Sequence, residues 1–112
     1  MSSAAKPALE RVAAVDDVPP GSLRGVTLSN GEKVCLLNLG GEIHALGNVC
    51  THQEFAMSDG ALLPGGLIEC AWHGARFDCR TGVVKRFPAT EPLPVYDVRV
   101  EQDAIWVGGR VR

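Results

Sequence analysis

Several absences bound this 112-residue chain before any motif is considered. It contains no apolar run of 18 residues, the length a bilayer-spanning helix requires. Its opening stretch, Met1 to Leu9, has no apolar core long enough for a secretory signal. Together these absences lead us to expect a soluble, cytoplasmic protein with no membrane partner. Lys and Arg form no run or stripe and the net charge is −2, which argues against nucleic acid as a partner. Repeats, linkers and low-complexity segments are lacking, and the length suits one domain spanning 1–112. No long stretch has helical periodicity.

What the chain does contain is a concentrated set of metal-binding side chains. Cys50-Thr51-His52 is followed, seventeen residues later, by Cys70-Ala71-Trp72-His73. Thiolate and imidazole bind iron–sulfur clusters, zinc and copper. Zinc fingers usually group like ligands, a Cys pair and then a His pair. Here each knuckle is mixed. A mixed pair suits a two-iron cluster in which one iron takes both thiolates and the other both imidazoles. Ligand type alone leaves a structural zinc, and with it a zinc-stabilised interaction module, as an alternative. The other two cysteines stand apart. Cys35 lies in an apolar run and reads as core, and Cys79 lies in a turn between Asp78 and Arg80. A Cys35–Cys79 disulfide is compatible with the sequence but disfavoured in a reducing compartment.

Short strands and turns run from end to end. The sequence predicts strands over 11–15, 25–28, 33–39, 42–46, 61–63, 67–70, 76–78, 83–85, 95–101 and 104–107. Asn30-Gly31 predicts a two-residue hairpin turn, and Gly40-Gly41 a second. Residues 53–58 suit one helical turn. Residues 33–39 are apolar on both faces in places, as a central strand would be. In 95–101, Tyr96, Val98 and Val100 alternate with Asp97, Arg99 and Glu101. Closely spaced strands without a long helix indicate an all-β, antiparallel sandwich or barrel. Inserted hairpins over about 47–90 carry the ligands.

At Cys50, His52, Cys70 and His73 the sequence resembles the Rieske proteins, with C-x-H-x17-C-x-x-H intact, then Gly74 and Phe77-Asp78…Thr81-Gly82. The resemblance implies a Rieske-like fold and one [2Fe–2S] cluster per chain, held by those four residues. It leaves His44 as the only other histidine. A mononuclear non-haem iron site, which needs two more His and a carboxylate, is therefore excluded from this chain. His44 itself reads as a structural, half-exposed residue.

Departures from the respiratory branch are informative. Those relatives carry a loop-bridging pair of cysteines where this chain has Phe55 and Trp72. They also place Ser and Tyr hydroxyls near the cluster, where this chain has Ala75 and Phe77. The pattern is similar to the ferredoxins of bacterial aromatic-ring-hydroxylating dioxygenases. It implies electron transfer without substrate chemistry, from an NAD(P)H-dependent flavoprotein ferredoxin reductase to a terminal Rieske oxygenase. A Rieske subunit of another system, such as a nitrite reductase small subunit, is the alternative. A monomer is the simplest expectation. Phe55, Met57 and Trp72 are candidates for an apolar docking rim around the imidazole edges, and Pro88 for a shielding loop.

Hydroxyls that donate to cluster sulfurs favour the reduced, more negative form. Without them the potential is expected near the low end of the Rieske range, about −150 mV. Introducing both hydroxyls by Ala75→Ser with Phe77→Tyr should raise the midpoint potential in protein-film voltammetry. An unchanged midpoint would count against this account.

Overall fold

The computed structural model describes residues 9–51, 55–71, 74–87 and 91–111. Ten strands follow one another: β1 (Glu10–Ala14), β2 (Leu23–Thr27), β3 (Lys33–Leu39), β4 (Glu42–Gly47), β5 (Ala61–Leu63), β6 (Leu67–Glu69), β7 (Arg76–Asp78), β8 (Val84–Arg86), β9 (Tyr96–Glu101) and β10 (Ala104–Arg110). Two short 3-10 turns, Val15–Asp17 and Met57–Asp59, are the helical elements among the described residues. No helix there is long and apolar enough to cross a membrane.

The strands form three antiparallel sheets, ordered β1-β10-β9, β2-β3-β4 and β5-β6-β7-β8. Alternation along β3 explains why they stack. Successive strand side chains point to opposite faces. Val34 and Leu36 enter one core with Ala13, Ala45, Tyr96, Ile105 and Val107. Cys35 and Leu37 enter a second core with Leu46, Ile68, Phe77 and Leu93. All four β3 side chains are fully buried. The doubly apolar pattern of residues 33–39 is thus that of a strand shared by two cores. The first core joins the sheet to β1-β10-β9, and the second joins it to the four-stranded sheet. Main-chain bonds also tie β4 to the start of β9, through a Leu46–Val95 bridge and the Gly47 N–H donating to Pro94 O at 2.9 Å.

Turn chemistry sets the registers. Gly40 and Gly41 lie at φ +63° and +105° between the paired residues Leu39 and Glu42, a two-residue turn with both positions left-handed. Its approach is fixed by Asn38, a buried amide that donates to Val18 O at 2.8 Å and accepts from the Gly41 N–H at 2.7 Å. The Asn30-Gly31 turn differs from expectation. Leu28 N–H donates to Glu32 O, so the loop holds three residues, Ser29 to Gly31. Only Gly31 takes a positive φ, +91°. The Asn30 carboxamide accepts from the Glu32 N–H at 2.9 Å instead of adopting a left-handed backbone. Tyr96 clamps this turn by donating its hydroxyl to Glu32 at 2.7 Å. Burial, and then that carboxylate, push the phenol up to about 12, so it remains a donor. In β9 the expected alternation holds at Tyr96 and Val98, but Val100 runs past the core and is 48% exposed. Of the helical turn predicted over 53–58, only Met57 and Ser58 are helical, within the 3-10 turn Met57–Asp59; Ala56 is bridged to Val49 instead, and 53–54 fall outside the described residues.

The β9–β10 turn has φ +52° at Gln102 and +64° at Asp103, without a glycine. Left-handed backbone costs a side-chain-bearing residue about 1–2 kcal/mol. Gln102→Asn with Asp103→Gly is expected to recover about 1 kcal/mol, read as a higher urea midpoint. A lower midpoint would contradict the turn assignment.

Asp78 supplies an acid-sensitive element. Burial pushes its carboxyl up, but N–H donation from Thr81 and Arg80, at 2.9 and 2.8 Å, outweighs this and leaves it below the usual 3.8. With the folded-state value lowered, its stabilisation is full above the ordinary carboxyl range, about pH 4, and is lost as pH falls from there through the lower folded-state value. Asp78→Asn should therefore flatten the acid limb of the stability–pH curve. An unaltered limb would show that Asp78 contributes nothing to it.

Candidate metal centre

The two knuckles close by the same backbone device. After β4, Cys50 N–H donates to Phe55 O at 2.9 Å, and an antiparallel bridge joins Val49 to Ala56 below it. After β6, Cys70 N–H donates to Ala75 O at 2.8 Å, and the pair Glu69–Arg76 lies below it. Each cysteine therefore heads a six-residue loop closed on the residue five positions later. The matched closure places Cys50 and Cys70 at equivalent points of the two hairpins. They are 3% and 1% exposed and lie in the same core as Met57, Ile68, Ala75, Phe77 and Leu93.

Each loop has its own support. Asn48 accepts from the Ser58 N–H at 2.8 Å, and Met57 N–H donates to Asn48 O at 2.6 Å, so the 3-10 turn is fastened to the end of β4. The Arg76 guanidinium pairs with Glu69 at 2.9 Å across the base of the second loop. Thr51, next to Cys50, donates its hydroxyl to Glu91 O at 2.7 Å. That contact ties the first knuckle to the segment entering β9. Leu93 N–H in turn donates to Gly82 O at 2.9 Å. At Gly82, φ is +73°, and a side chain would collide with the Leu93 carbonyl. Only glycine lets this segment lie so close to the β7–β8 turn.

The remaining predicted residues fall as follows. His52, Trp72, His73 and Pro88 lie outside the described residues. Among the described residues no group of three metal-ligating side chains occurs; Cys50 and Cys70 are the two of the four expected ligands that are described. Phe55 is 40% exposed, and Val49 beside its bridge is 44% exposed. Met57 corrects the docking-rim expectation. It is completely buried, because the 3-10 turn points it inward against the cysteine-bearing core. It cannot belong to a surface rim. Ala75 and Phe77, the positions without hydroxyls, are also fully buried in that core. His44 is partly exposed and lies 3.1 Å from Glu42; it pairs with Leu37, a residue of the cysteines' core, but is not itself part of that core.

Cys35 and Cys79 are unbridged and share the core with Cys50 and Cys70. Burial, followed by the nearby Cys79, pushes the Cys35 thiol up to about 12. Burial and then Asp78 push Cys79 up to about 11. Both are held as neutral thiols and pack as small core residues. Nothing in the polar turn around Cys79 signals that it is fully buried. Nor does the sequence signal the Thr51–Glu91 tether, because the partner there is a main-chain carbonyl forty residues away.

Two apolar-walled loops offering buried sulfur at matched positions are suited to a small cluster held between them. Comparison with known proteins agrees. Residues 9–97 match the Rieske [2Fe-2S] domain. The chain is 42% identical over 91 residues to the biphenyl dioxygenase ferredoxin subunit of Pseudomonas sp. (strain KKS102), covering 81% of this chain and 83% of that one. Its fold superposes on a complex of reduced oxygenase and oxidised ferredoxin in carbazole 1,9a-dioxygenase, with a TM-score of 0.83 and 33% identity, covering 90% of this chain and 93% of that one. A chain assigned as the small subunit of an NADH-dependent nitrite reductase from Mycobacterium tuberculosis gives a TM-score of 0.81 and 29% identity, covering 91% and 95%. On this sequence match and this fold, the chain belongs to the Rieske [2Fe–2S] family, as one of its ferredoxins, with a [2Fe–2S] cluster as cofactor.

Proposed function

We propose that this ferredoxin is the one-electron carrier of an aromatic-ring-hydroxylating dioxygenase system. It receives electrons from an NAD(P)H-dependent flavoprotein reductase and passes them to a terminal Rieske non-haem iron oxygenase. It acts as a single-domain, monomeric, cytoplasmic protein, with a cluster-binding part over about 47–90. Cys50 and Cys70 supply thiolates to one iron, and His52 and His73 supply imidazoles to the other. The observation that carries the ligand assignment is the matched closure of the Cys50 and Cys70 loops onto one core. Likeness to the biphenyl dioxygenase ferredoxin subunit supports the choice of system.

The cluster supplies reversible one-electron capacity when bound. The chain's residues set the conditions for its use. Met57, Phe77 and Leu93 exclude water from the sulfur side. Ala75 and Phe77 offer no hydroxyl there, so the reduced state gains no donor from them. A low potential follows, suited to passing electrons onward from a reduced flavin. Thr51 and Gly82 hold the 91–93 segment against the two cluster-binding hairpins. A Rieske subunit of a nitrite reductase is the second reading, favoured by the fold match to the nitrite reductase small subunit.

The decisive measurement is electron paramagnetic resonance before and after dithionite, with iron and acid-labile sulfide assayed on the same sample. A silent oxidised state, an anisotropic reduced signal with mean g below the free-electron value, and loss of both iron and signal in Cys70→Ser are expected. A colourless protein with stoichiometric zinc, resisting iron–sulfide reconstitution, would overturn the reading. Turnover of an aromatic dioxygenase, against nitrite reduction, separates the two systems.

A further inference from the structure

The most exposed large apolar side chain among the described residues is Phe87, at 76%. It directly follows β8, the edge strand of the four-stranded sheet. Val84 turns toward the core, whereas Lys85 and Arg86 are exposed. These four residues line a shallow groove of about 220 Å³. Electrostatics make the strip unusual on a chain with a net charge of −2. Glu69, Arg76 and Arg86 lie in one row across β6, β7 and β8. Arg76 takes the only carboxylate of that row, at 2.9 Å. Arg86 is left opposite a like charge, an arrangement that costs stability. Lys85 is felt by Asp78, whose Oδ1 accepts from the Arg80 and Thr81 N–H groups, but no ion pair to Lys85 or Arg86 occurs among the described residues. Cations on an edge strand discourage unwanted strand pairing, which accounts for Lys85 and Arg86. It does not account for an uncovered phenyl ring beside them.

Position supplies the reason. Glu91, whose carbonyl holds Thr51 beside Cys50, is four residues beyond Phe87. Four residues of chain reach at most about 14 Å. A protein seated on Phe87 is therefore at the cysteine-bearing end of the molecule.

We propose that Lys85, Arg86 and Phe87 form a docking strip for a redox partner whose cofactor edge lies in an apolar surface rimmed by carboxylates. This rests on the electron-carrier reading above. The phenyl ring enters the partner's apolar surface, and the two cations meet its carboxylates. Opposite charges raise the encounter rate, and a contact this small releases quickly.

The test uses the cluster-loaded protein and two redox proteins of opposite charge. Fully reduced flavodoxin is the acidic probe and gives up one electron to the oxidised ferredoxin. Cytochrome c is the basic probe and takes one electron from the reduced form. Stopped-flow rate constants are measured against ionic strength for wild type, Lys85→Gln/Arg86→Gln and Phe87→Ser. A control of equal charge change, Arg11→Gln/Arg99→Gln, lies on the β1-β10-β9 sheet. At low salt the strip double variant should slow reduction by flavodoxin about fivefold and flatten its salt dependence. Phe87→Ser should slow it without altering that dependence, and neither should slow the reaction with cytochrome c. Equal slowing by the control pair, or no slowing by either strip variant, would overturn the proposal. So would a wild-type dimer in sedimentation that Phe87→Ser dissociates, because a second copy would then be the occupant. Failure of the wild type to show a dithionite-reducible cluster would sink the electron-carrier reading instead, and is seen before any rate is measured.

Discussion

Everything in this molecule hangs on the two-sided burial of β3. A strand covered on both faces is apolar in succession, with any buried polar side chain hydrogen-bonded as Asn38 is, because neither face reaches water. Val34-Cys35-Leu36-Leu37 meets that condition, with all four side chains fully buried. One face holds the β1-β10-β9 sheet and the other holds the sheet that presents the second ligand loop. The first ligand loop leaves from β4, the neighbour of β3 in the same sheet. Both knuckles are thus referred to one rigid strand, and their relative position is set by core packing, not by loop length.

The equivalence of the loops follows from that frame. Each is closed by its cysteine N–H bonding a carbonyl five residues on, and each is continued below by antiparallel pairing. The core around them is apolar, with Met57, Ala75, Phe77 and Leu93 contributing no donor to the sulfur side. The side chains that stabilise the hairpins thus also line the core in which both cysteines lie.

Legibility differed by residue type. The four-ligand spacing was readable because two pairs of soft donors in one pattern have few other uses. The strand pattern was readable because alternation and glycine turns are local. Met57 was not. In sequence it stands beside Phe55 in a polar stretch, and only the bond from its N–H to Asn48 O turns the side chain inward. Asn30-Gly31 also misled, since the dipeptide serves two-residue and three-residue hairpins alike, and the Asn30 side-chain bond to the Glu32 N–H selects the longer one. Cys79 was placed correctly in a turn, but its complete burial depends on the sheet packed over it.

The sequence alone thus determined the all-β class, the positions of most strands, the ligand candidates and the missing hydroxyls, because each is expressed within a few consecutive residues. Tertiary structure decided that all four cysteines share one core and that burial raises the Cys35 and Cys79 thiols, because packing joins residues far apart in the chain. It also decided that Thr51 tethers the segment around Glu91, and that Arg86 and Phe87 stand uncovered at a sheet edge. Exposure and long-range hydrogen bonding are properties of packed surfaces, and no local pattern of residues encodes them.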